Sequence, residues 1–388
     1  MNLSSDDIYN INMETYDHYN QLSQEEKYSM KERESFIFKR KIISNLLKCD
    51  ERLYTLFFTN KVPVTNNMFK FEGVWDKCQL VGYGSHANIL RPKRGLVDRY
   101  VLKCPSNYFT GTDGNKLDFS IDEMDDIVTH EIFISLILSS SIYTTPNIVK
   151  LRGIFRAHRA KIKSDNIHIR PNIFSDIVTY AIYDYVDAKT LYEVLKDEDD
   201  INLGNILNWY LQILLTLETL SPLNFSHNDL NLKNIMLFKL KKPTNITYNV
   251  SGTKYVLKVN YIAKMIDFGY SYLEFNNRKY GTYDMYEHHI YHNRPNKISD
   301  AFKLFISLFW HLYYDFCEGP NDNILRTMIT RKLEPIFKFF MDADLEEYIK
   351  IIQSYTIPHI PKTNYQHINL IKYILEYYPI IKKDIVIE

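Results

Sequence analysis

Residues 227–234 read His-Asn-Asp-Leu-Asn-Leu-Lys-Asn, between an apolar helical stretch and the strand-like residues 235–238. Within this segment Asp229 and Asn234 stand five residues apart. Phosphoryl transfer requires a carboxylate that orients the attacking hydroxyl and a nearby oxygen ligand for magnesium. A loop with an Asp and an Asn at this spacing supplies both groups.

A second motif follows at residues 265–269, which read Met-Ile-Asp-Phe-Gly. Asp267 comes directly after an apolar, strand-like run. A carboxylate at the end of a strand can hold magnesium against the phosphates of a nucleotide. The two motifs together predict a magnesium site that is made by Asn234 and Asp267.

A glycine-rich segment lies upstream, where residues 82–89 read Gly-Tyr-Gly-Ser-His-Ala-Asn-Ile. Glycines allow the backbone to approach phosphates closely. Gly82 and Gly84 are therefore candidate phosphate contacts, although Ala87 replaces the third glycine of the usual pattern.

Lys103 follows on a predicted strand, where burial without a partner would be costly. A carboxylate or a phosphate is therefore expected beside it. Glu131, on the helix predicted after residue 120, is the first candidate for its partner. Glu123, Asp125 and Asp126, about two turns earlier, are the alternatives.

The order of these motifs resembles that of the eukaryotic-type protein kinases, in an atypical branch similar to large-DNA-virus or haspin-like kinases. The likeness covers about residues 76–315. It implies an α+β, bilobal protein-kinase-like fold, with a small β-rich N-lobe and a larger helical C-lobe. The expected boundaries are a helical N-terminal extension at 1–70, an N-lobe at 71–186 and a C-lobe at 187–388.

The resemblance implies that ATP is the cofactor and that the N-lobe binds it. Lys103 would contact the α- and β-phosphates and pair with Glu131, while Gly82 and Gly84 would cover the phosphates. Residues 182–186 resemble the hinge that binds adenine, with Asp184 and Val186 as contacts and Tyr183 limiting the depth of the pocket.

The resemblance also assigns roles in the C-lobe. Asp229 would orient the substrate hydroxyl and accept its proton, while Asn234 and Asp267 would hold Mg²⁺. Asp300, at the start of the predicted helix 299–314, would brace the backbone of the catalytic loop.

Three departures from the kinase pattern stand out. Asn228 replaces the Arg that commonly receives an activation-segment phosphate, and Asn231 stands where serine/threonine kinases usually place a Lys. In addition, Asn234 and Asp267 are 33 residues apart, whereas two short strands and a tight turn need only about 12 to 15. Residues of about 239–258 are therefore an insertion, which we expect to form an extended β-hairpin.

Three functions remain open on the sequence. The first is an active protein kinase that phosphorylates Ser or Thr hydroxyls, favoured by the long polar segment 270–296. The second is a small-molecule kinase of the choline or aminoglycoside type. Motifs of that type are also similar to three segments of this sequence: His-Asn-Asp, Ile-Asp-Phe-x-Tyr and residues 281–284. The third is a pseudokinase scaffold, which the presence of Lys103, Asp229, Asn234 and Asp267 disfavours.

The composition excludes several other classes of protein. The chain has 388 residues, with 47 basic and 47 acidic side chains, so it has no bulk attraction to nucleic acid. The most apolar run, at about 302–314, is too short and too polar to span a membrane. We expect a soluble intracellular protein, in the cytoplasm, or in the host cytoplasm or virion if it is viral. Abundant Asn, Ile and Lys favour an AT-rich source such as a large DNA virus or a parasite.

Overall fold

The protein is described from a computed structural model. The described residues are 78–83, 87–92, 100–105, 109–110, 116–117, 121–139, 145–158, 160–162, 169–171, 177–197, 201–275, 278–281, 298–317, 324–340 and 366–388. The predicted helical extension at 1–70 lies outside them. The chain divides into two compact units, one of residues 1–142 and 149–186, the other of 143–148 and 187–388. Both contain strands and helices, so the predicted α+β class is confirmed.

The first unit is built on a five-stranded antiparallel sheet with the strand order β1-β2-β3-β9-β6. Two further strand pairs, β4–β5 and β7–β8, are separate from it. Its elements are β1 (Cys78–Tyr83), β2 (Ala87–Pro92), β3 (Tyr100–Pro105), β4 (Phe109–Thr110), β5 (Lys116–Leu117), α1 (Ile121–Leu138), β6 (Leu151–His158), β7 (Ala160–Ile162), β8 (Ile169–Pro171) and β9 (Ile177–Asp184).

Helix α1 packs on strands β3 and β9 of this sheet. Its second half is buried almost without interruption, from Val128 to Leu138. The end of β3 is buried as well, from Leu102 to Pro105. The side chains of Lys103 and Glu131 therefore lie in an apolar setting, where each charge needs the other.

The second unit holds most of the helices and a four-stranded sheet with the order β10-β11-β12-β15. Strands β13 and β14 pair separately. Its elements are β10 (Lys189–Thr190), α2 (Leu191–Asp197), α3 (Leu203–Thr219), β11 (Ile235–Val250), β12 (Thr253–Met265), β13 (Leu273–Phe275), β14 (Arg278–Tyr280), α4 (Ser299–Cys317), α5 (Ile324–Phe340), α6 (His367–Tyr377), α7 (Pro379–Lys382) and β15 (Ile385–Ile387).

Helix α3 is the central helix of the second unit. Asn202 caps its first turn by accepting a hydrogen bond from the main-chain N–H of Asn205 at 3.0 Å, which satisfies one of the unpaired donors of the helix start. All of its residues from Trp209 to Glu218 are buried. A helix that is apolar and buried on every side places the loop that follows it against a rigid core.

The predicted insertion is an extended β-hairpin, as expected. Strands β11 and β12 pair along almost their whole length, and the two-residue loop has Ser251 at φ 48° and Gly252 at φ 82°. Positive φ at both positions is the requirement of the tightest hairpin loops, which glycine meets without strain. The pairing register shifts between Lys239 and Thr244, where β11 bulges and residues 240–243 lie opposite the single residue Asn260 of β12.

Residues 145–148 pack with the second unit. The cause is Asn147, whose side chain is fully buried. Its amide Nδ2 donates to Gln212 Oε1 at 3.0 Å and to the carbonyl of Ala263 at 2.7 Å, and its Oδ1 accepts from the hydroxyl of Tyr248 at 2.7 Å. These contacts tie the segment to α3 and to both hairpin strands.

Replacing Tyr248 with Phe tests how firmly the hairpin is held. The change leaves the buried Asn147 Oδ1 without that donor, so we expect the free energy of unfolding to fall by about 1–2 kcal/mol in chemical denaturation. Tyr261→Phe is the control, since the Tyr261 hydroxyl makes no hydrogen bond to any residue that the structure describes. Equal losses in the two variants would contradict the assignment.

None of the helices in the described part of the chain is long and apolar enough to cross a membrane.

Candidate active site

The candidate catalytic loop runs from the end of α3 to the start of β11. Its last residues, Leu232–Asn234, form a single 3₁₀ turn that Asn231 caps by accepting from the main-chain N–H of Lys233 at 2.9 Å. Leu230 and Leu232 are buried. These two leucines anchor the loop, so that Asp229, Asn231 and Asn234 alternate with them on its more accessible side.

Asp300, at the start of α4, fixes the backbone of this loop. Its carboxylate accepts from the main-chain N–H of His227 at 2.6 Å and from that of Asn228 at 2.9 Å. The Ser226 hydroxyl shares its one proton between this carboxylate, at 3.1 Å, and Asn228 Oδ1, at 2.8 Å. Asp300 is 2% exposed, and hydrogen bonds to a buried carboxylate are the strong kind. The contact agrees with the bracing role that the resemblance implies.

Two amide side chains hold Asp229. Asn234 Nδ2 donates to Asp229 Oδ2 and to its main-chain carbonyl, both at 2.8 Å. Asn231 Nδ2 donates to Asp229 Oδ1 at 3.1 Å. Because the Asn234 amide uses its nitrogen here, its Oδ1 is the atom left for a metal. No described residue donates a hydrogen bond to that oxygen.

The electrostatic setting of Asp229 favours a proton acceptor. Burial raises the pKa of Asp229 above its ordinary value; His227 opposes this rise, the charge of Asp267 adds to it, and the amides of Asn234 and Asn231 oppose it. A raised pKa makes a carboxylate a stronger base in its ionised form. The influence of Asp267 also shows that the two carboxylates are electrostatic neighbours.

Asp267 is held at the end of β12 by its neighbours in the chain. The main-chain N–H of Ile266 donates to the Asn234 carbonyl at 3.0 Å, and Ile266 O lies 2.9 Å from His227 Nε2. Phe268 is 1% exposed and packs against the His227 ring. Asp267 itself is exposed, with φ at 65°. Such backbone geometry in a residue other than glycine is a common mark of functional sites.

Asn228 links the loop to the segment after Asp267 without a charge. Its Nδ2 donates to the Tyr270 carbonyl at 2.9 Å, and its Oδ1 accepts from the Ser226 hydroxyl at 2.8 Å. Its φ is 64°, in the left-handed region that asparagine tolerates better than most residues. A neutral amide therefore stands where most kinases carry Arg.

Lys303 reaches the same loop from α4, one helical turn after Asp300. Its Nζ donates to the Asn228 carbonyl at 2.7 Å. Burial lowers the pKa of Lys303, while the carboxylates of Asp300 and Asp229 oppose that fall. The Lys303 ammonium thus contacts the peptide group that joins Asn228 to Asp229.

In the first unit, Lys103 and Glu131 form a buried ion pair. The distance between Lys103 Nζ and Glu131 Oε2 is 2.5 Å, and the two residues are 7% and 3% exposed. Strand β3 supplies the lysine and helix α1 the glutamate. The structure places Glu131, the first candidate from the sequence, beside Lys103.

Tyr183 supports this pair from strand β9. Its hydroxyl lies 3.2 Å from Glu131 Oε1 and 3.1 Å from Ser135 Oγ. The resemblance to kinases implies only that Tyr183 limits the depth of a pocket. The structure adds a second contact of Glu131, on the oxygen that does not face Lys103.

A hinge residue, Asp184, forms an ion pair with Arg152 of strand β6. Arg152 Nε and Nη2 donate to the two carboxylate oxygens of Asp184 at 2.7 and 2.8 Å. This hydrogen bond is the main reason that the pKa of Arg152 is raised. Because its carboxylate is occupied, Asp184 would have to meet adenine with its main chain. Val186, the other predicted contact, is largely buried.

Of the two predicted phosphate-binding glycines, Gly84 lies outside the described residues. Gly82 lies on β1, opposite Ile89 of β2. A Cβ at this position would meet the Ile89 side chain at 3.6 Å, an ordinary contact. The packing of the first unit therefore does not require glycine at position 82.

Two contacts, one in each unit, could not be predicted from the sequence. The Tyr183 hydroxyl carries no local signal, because its contact depends on how α1 lies on the sheet. Lys303 does have a signal: it is a lysine inside an apolar helical run, at three residues from Asp300. A charge in such a run requires a polar partner.

Comparison with known proteins supports the kinase motifs. Residues 205–300 match the family model described as poxvirus serine/threonine protein kinase. A protein of Invertebrate iridescent virus 3 named "Probable kinase 098L" is 37% identical over 91 residues, which is 23% of this chain and 17% of that relative. The chain thus spans well under a fifth of that relative's length.

The segment that matches the family model contains residues 227–234, the Asp-Phe-Gly tripeptide and Asp300. In the structure these segments are in contact: the Asp300 carboxylate accepts from the main-chain N–H of His227, and the His227 ring contacts the carbonyl of Ile266, next to Asp267. The two comparisons confirm that this chain resembles the protein kinases, and the resemblance is to an atypical viral kinase family.

Proposed function

We propose that this protein is an ATP- and Mg²⁺-dependent protein kinase that transfers the γ-phosphoryl group to Ser or Thr hydroxyls. The observation that carries the proposal is the arrangement around Asp229. Its carboxylate is oriented by two amides, its pKa is raised by burial, and Asn234 and Asp267 adjoin it. A base and two oxygen ligands in one place are what phosphoryl transfer requires.

The residues at this site fit a magnesium ion. Hard cations take oxygen ligands from carboxylates and amide carbonyls, and Asn234 Oδ1 and the exposed Asp267 carboxylate are such atoms. ATP would supply the phosphoryl group, and the bound magnesium would neutralise part of the negative charge on the phosphates. Asn234 and Asp267 would hold the metal, while the Asn234 amide nitrogen keeps Asp229 in place.

Asp229 would act on the substrate hydroxyl. Its carboxylate accepts a hydrogen bond from the hydroxyl and thereby orients the oxygen toward the γ-phosphorus. As the new O–P bond forms, the bond from the γ-phosphorus to the oxygen it shares with the β-phosphate breaks, ADP leaves, and the hydroxyl proton passes to a carboxylate oxygen of Asp229. Its two amide donors limit rotation of the carboxylate, so one geometry is kept throughout.

In the first unit, Lys103 would bind the α- and β-phosphates. Glu131 keeps the ammonium in one position, and Tyr183 contacts the other oxygen of Glu131. Gly82 would cover the phosphates, since packing gives no other reason for a glycine at this position. The hinge residues Asp184 and Val186 would contact adenine through the main chain.

The choice of a protein substrate rests on the segment that follows the Asp-Phe-Gly motif and precedes α4. Residues 270–296 are rich in Tyr, Asn, His and Arg, which suits a surface that meets a polypeptide. A small alcohol instead needs an enclosed pocket with a few polar groups. Ser or Thr is favoured by the description of the matched family. Balanced charge gives no reason to expect nucleic acid as a partner.

The test is a transfer assay with γ-labelled ATP in which protein and small-molecule acceptors are compared side by side. We expect magnesium-dependent label on a generic basic or acidic protein, recovered as phosphoserine or phosphothreonine. Removal of the metal with EDTA should abolish the label. Saturable phosphorylation of choline or an amino sugar, with no labelled protein, would contradict the proposal. Magnesium-dependent ATP binding without any turnover would instead indicate a scaffold.

A further inference from the structure

The candidate catalytic loop lacks basic side chains at two positions. Asn228 and Asn231 stand where protein kinases usually carry Arg and Lys, and both are committed to local hydrogen bonds. Lys233, the basic residue within the loop, is exposed and lies 5.5 Å from the centre of the Tyr192 ring. The loop's lysine therefore brings no positive charge into contact with Asp229, and His227 is the loop side chain that acts on that carboxylate electrostatically.

Helix α4 brings such a charge to the loop. Asp300 and Lys303 lie one turn apart, on the same face of the helix. Asp300 accepts from the N–H groups of His227 and Asn228, and Lys303 donates to the carbonyl of Asn228. The peptide groups on both sides of Asn228 are thus held by side chains of opposite charge.

The location of Lys303 favours more than a structural role. A neutral donor would satisfy the Asn228 carbonyl, whereas a partly buried ammonium costs free energy unless its charge is used. The carboxylates of Asp300 and Asp229 are the charges that act on it. Asp300 is already bonded to three donors of the loop.

We propose that Lys303 is a positioning residue for Asp229 that supplies, from helix α4, the positive charge absent from positions 228 and 231. It fixes the peptide group that precedes Asp229 and holds a positive charge against the loop at that point. The inference rests on the proposed kinase activity and deepens it.

Two substitutions separate the charge from the hydrogen bond. Lys303→Gln keeps an N–H donor without the charge, and Lys303→Arg keeps the charge. We expect Lys303→Gln to lower kcat roughly 30-fold or more, with KM for ATP and for the protein substrate changed by less than about threefold. Lys303→Arg should keep kcat within about fivefold of the wild type. Lys338→Gln is the control, since Lys338 is exposed and pairs with Glu334 on α5.

The outcomes are distinct. Equal kcat values in the Gln variant and the wild type, or equal losses in the Gln and Arg variants, would overturn the role of the charge. Failure of the proposed function itself appears in the wild type, as absence of turnover. Hydrogen exchange then decides: residues 228–232 should exchange faster in Lys303→Gln than in Lys303→Arg, and identical exchange would overturn the inference.

Discussion

Replacing Asp229 with Asn is expected to abolish phosphoryl transfer while leaving the fold and nucleotide binding almost unchanged. The substitution keeps the volume of the side chain and removes its capacity to accept a proton. We expect kcat to fall by about a thousandfold, within the range that a general base contributes. The measurement is the steady-state rate of transfer to a protein substrate, together with the affinity for magnesium-bound ATP.

The geometry of the loop explains why the fold should survive this change. Asn234 Nδ2 also donates to the main-chain carbonyl of residue 229, and the brace from Asp300 does not involve the Asp229 side chain. Glu376→Gln, which neutralises an exposed carboxylate on α6, is the control and should retain full activity. Turnover within tenfold of the wild type in Asp229→Asn would remove Asp229 from the mechanism.

Lys103→Met is expected to have the second-largest effect, and the loss should not add to that of Glu131→Gln. Methionine keeps much of the bulk and removes the charge that would bind the phosphates. We expect kcat/KM for ATP to fall by about a hundredfold or more in Lys103→Met and by a smaller factor in Glu131→Gln. The double variant should be little worse than Lys103→Met alone, since the glutamate acts through the lysine.

The contact between Tyr183 and Glu131 helps to interpret this double-mutant cycle of Lys103→Met and Glu131→Gln. Glutamine at position 131 keeps an oxygen for the Tyr183 hydroxyl, so the substitution mainly removes the charge that faces Lys103. Tyr183→Phe is the matched control: it loses the contact with Glu131 but retains the ion pair. Full additivity of Lys103→Met and Glu131→Gln would show that the two side chains are not coupled in function, despite the 2.5 Å distance between them.

The parts of the fold that could be predicted from the sequence are those with a local cause. Strand β3 and helix α3 follow from residue type and periodicity, and the hairpin from the 33 residues between Asn234 and Asp267. The turn at residues 251–252 closes that hairpin with Ser-Gly, a pair that accepts positive φ. Each of these features is encoded by residues that are adjacent along the chain.

The parts that could not be predicted depend on residues that are distant in sequence. Asn147 joins the second unit through Gln212, Ala263 and Tyr248, the last of them 101 positions away. Nothing around residue 147 in the sequence indicates these partners. The same holds for Lys303, whose partner at Asn228 is 75 positions away.

The hairpin has a consequence for the behaviour of the protein at high concentration. Residues 235–265 include six lysines and no Asp or Glu, and β10 pairs only with Met236 and Leu237 of β11. Beyond them no described strand covers that edge, which carries Lys239, the bulge, Lys241, Lys242 and Pro243. Like charges, a proline and an irregular backbone all prevent one sheet from extending into another. A long strand edge is thereby kept from seeding aggregation between copies of the chain.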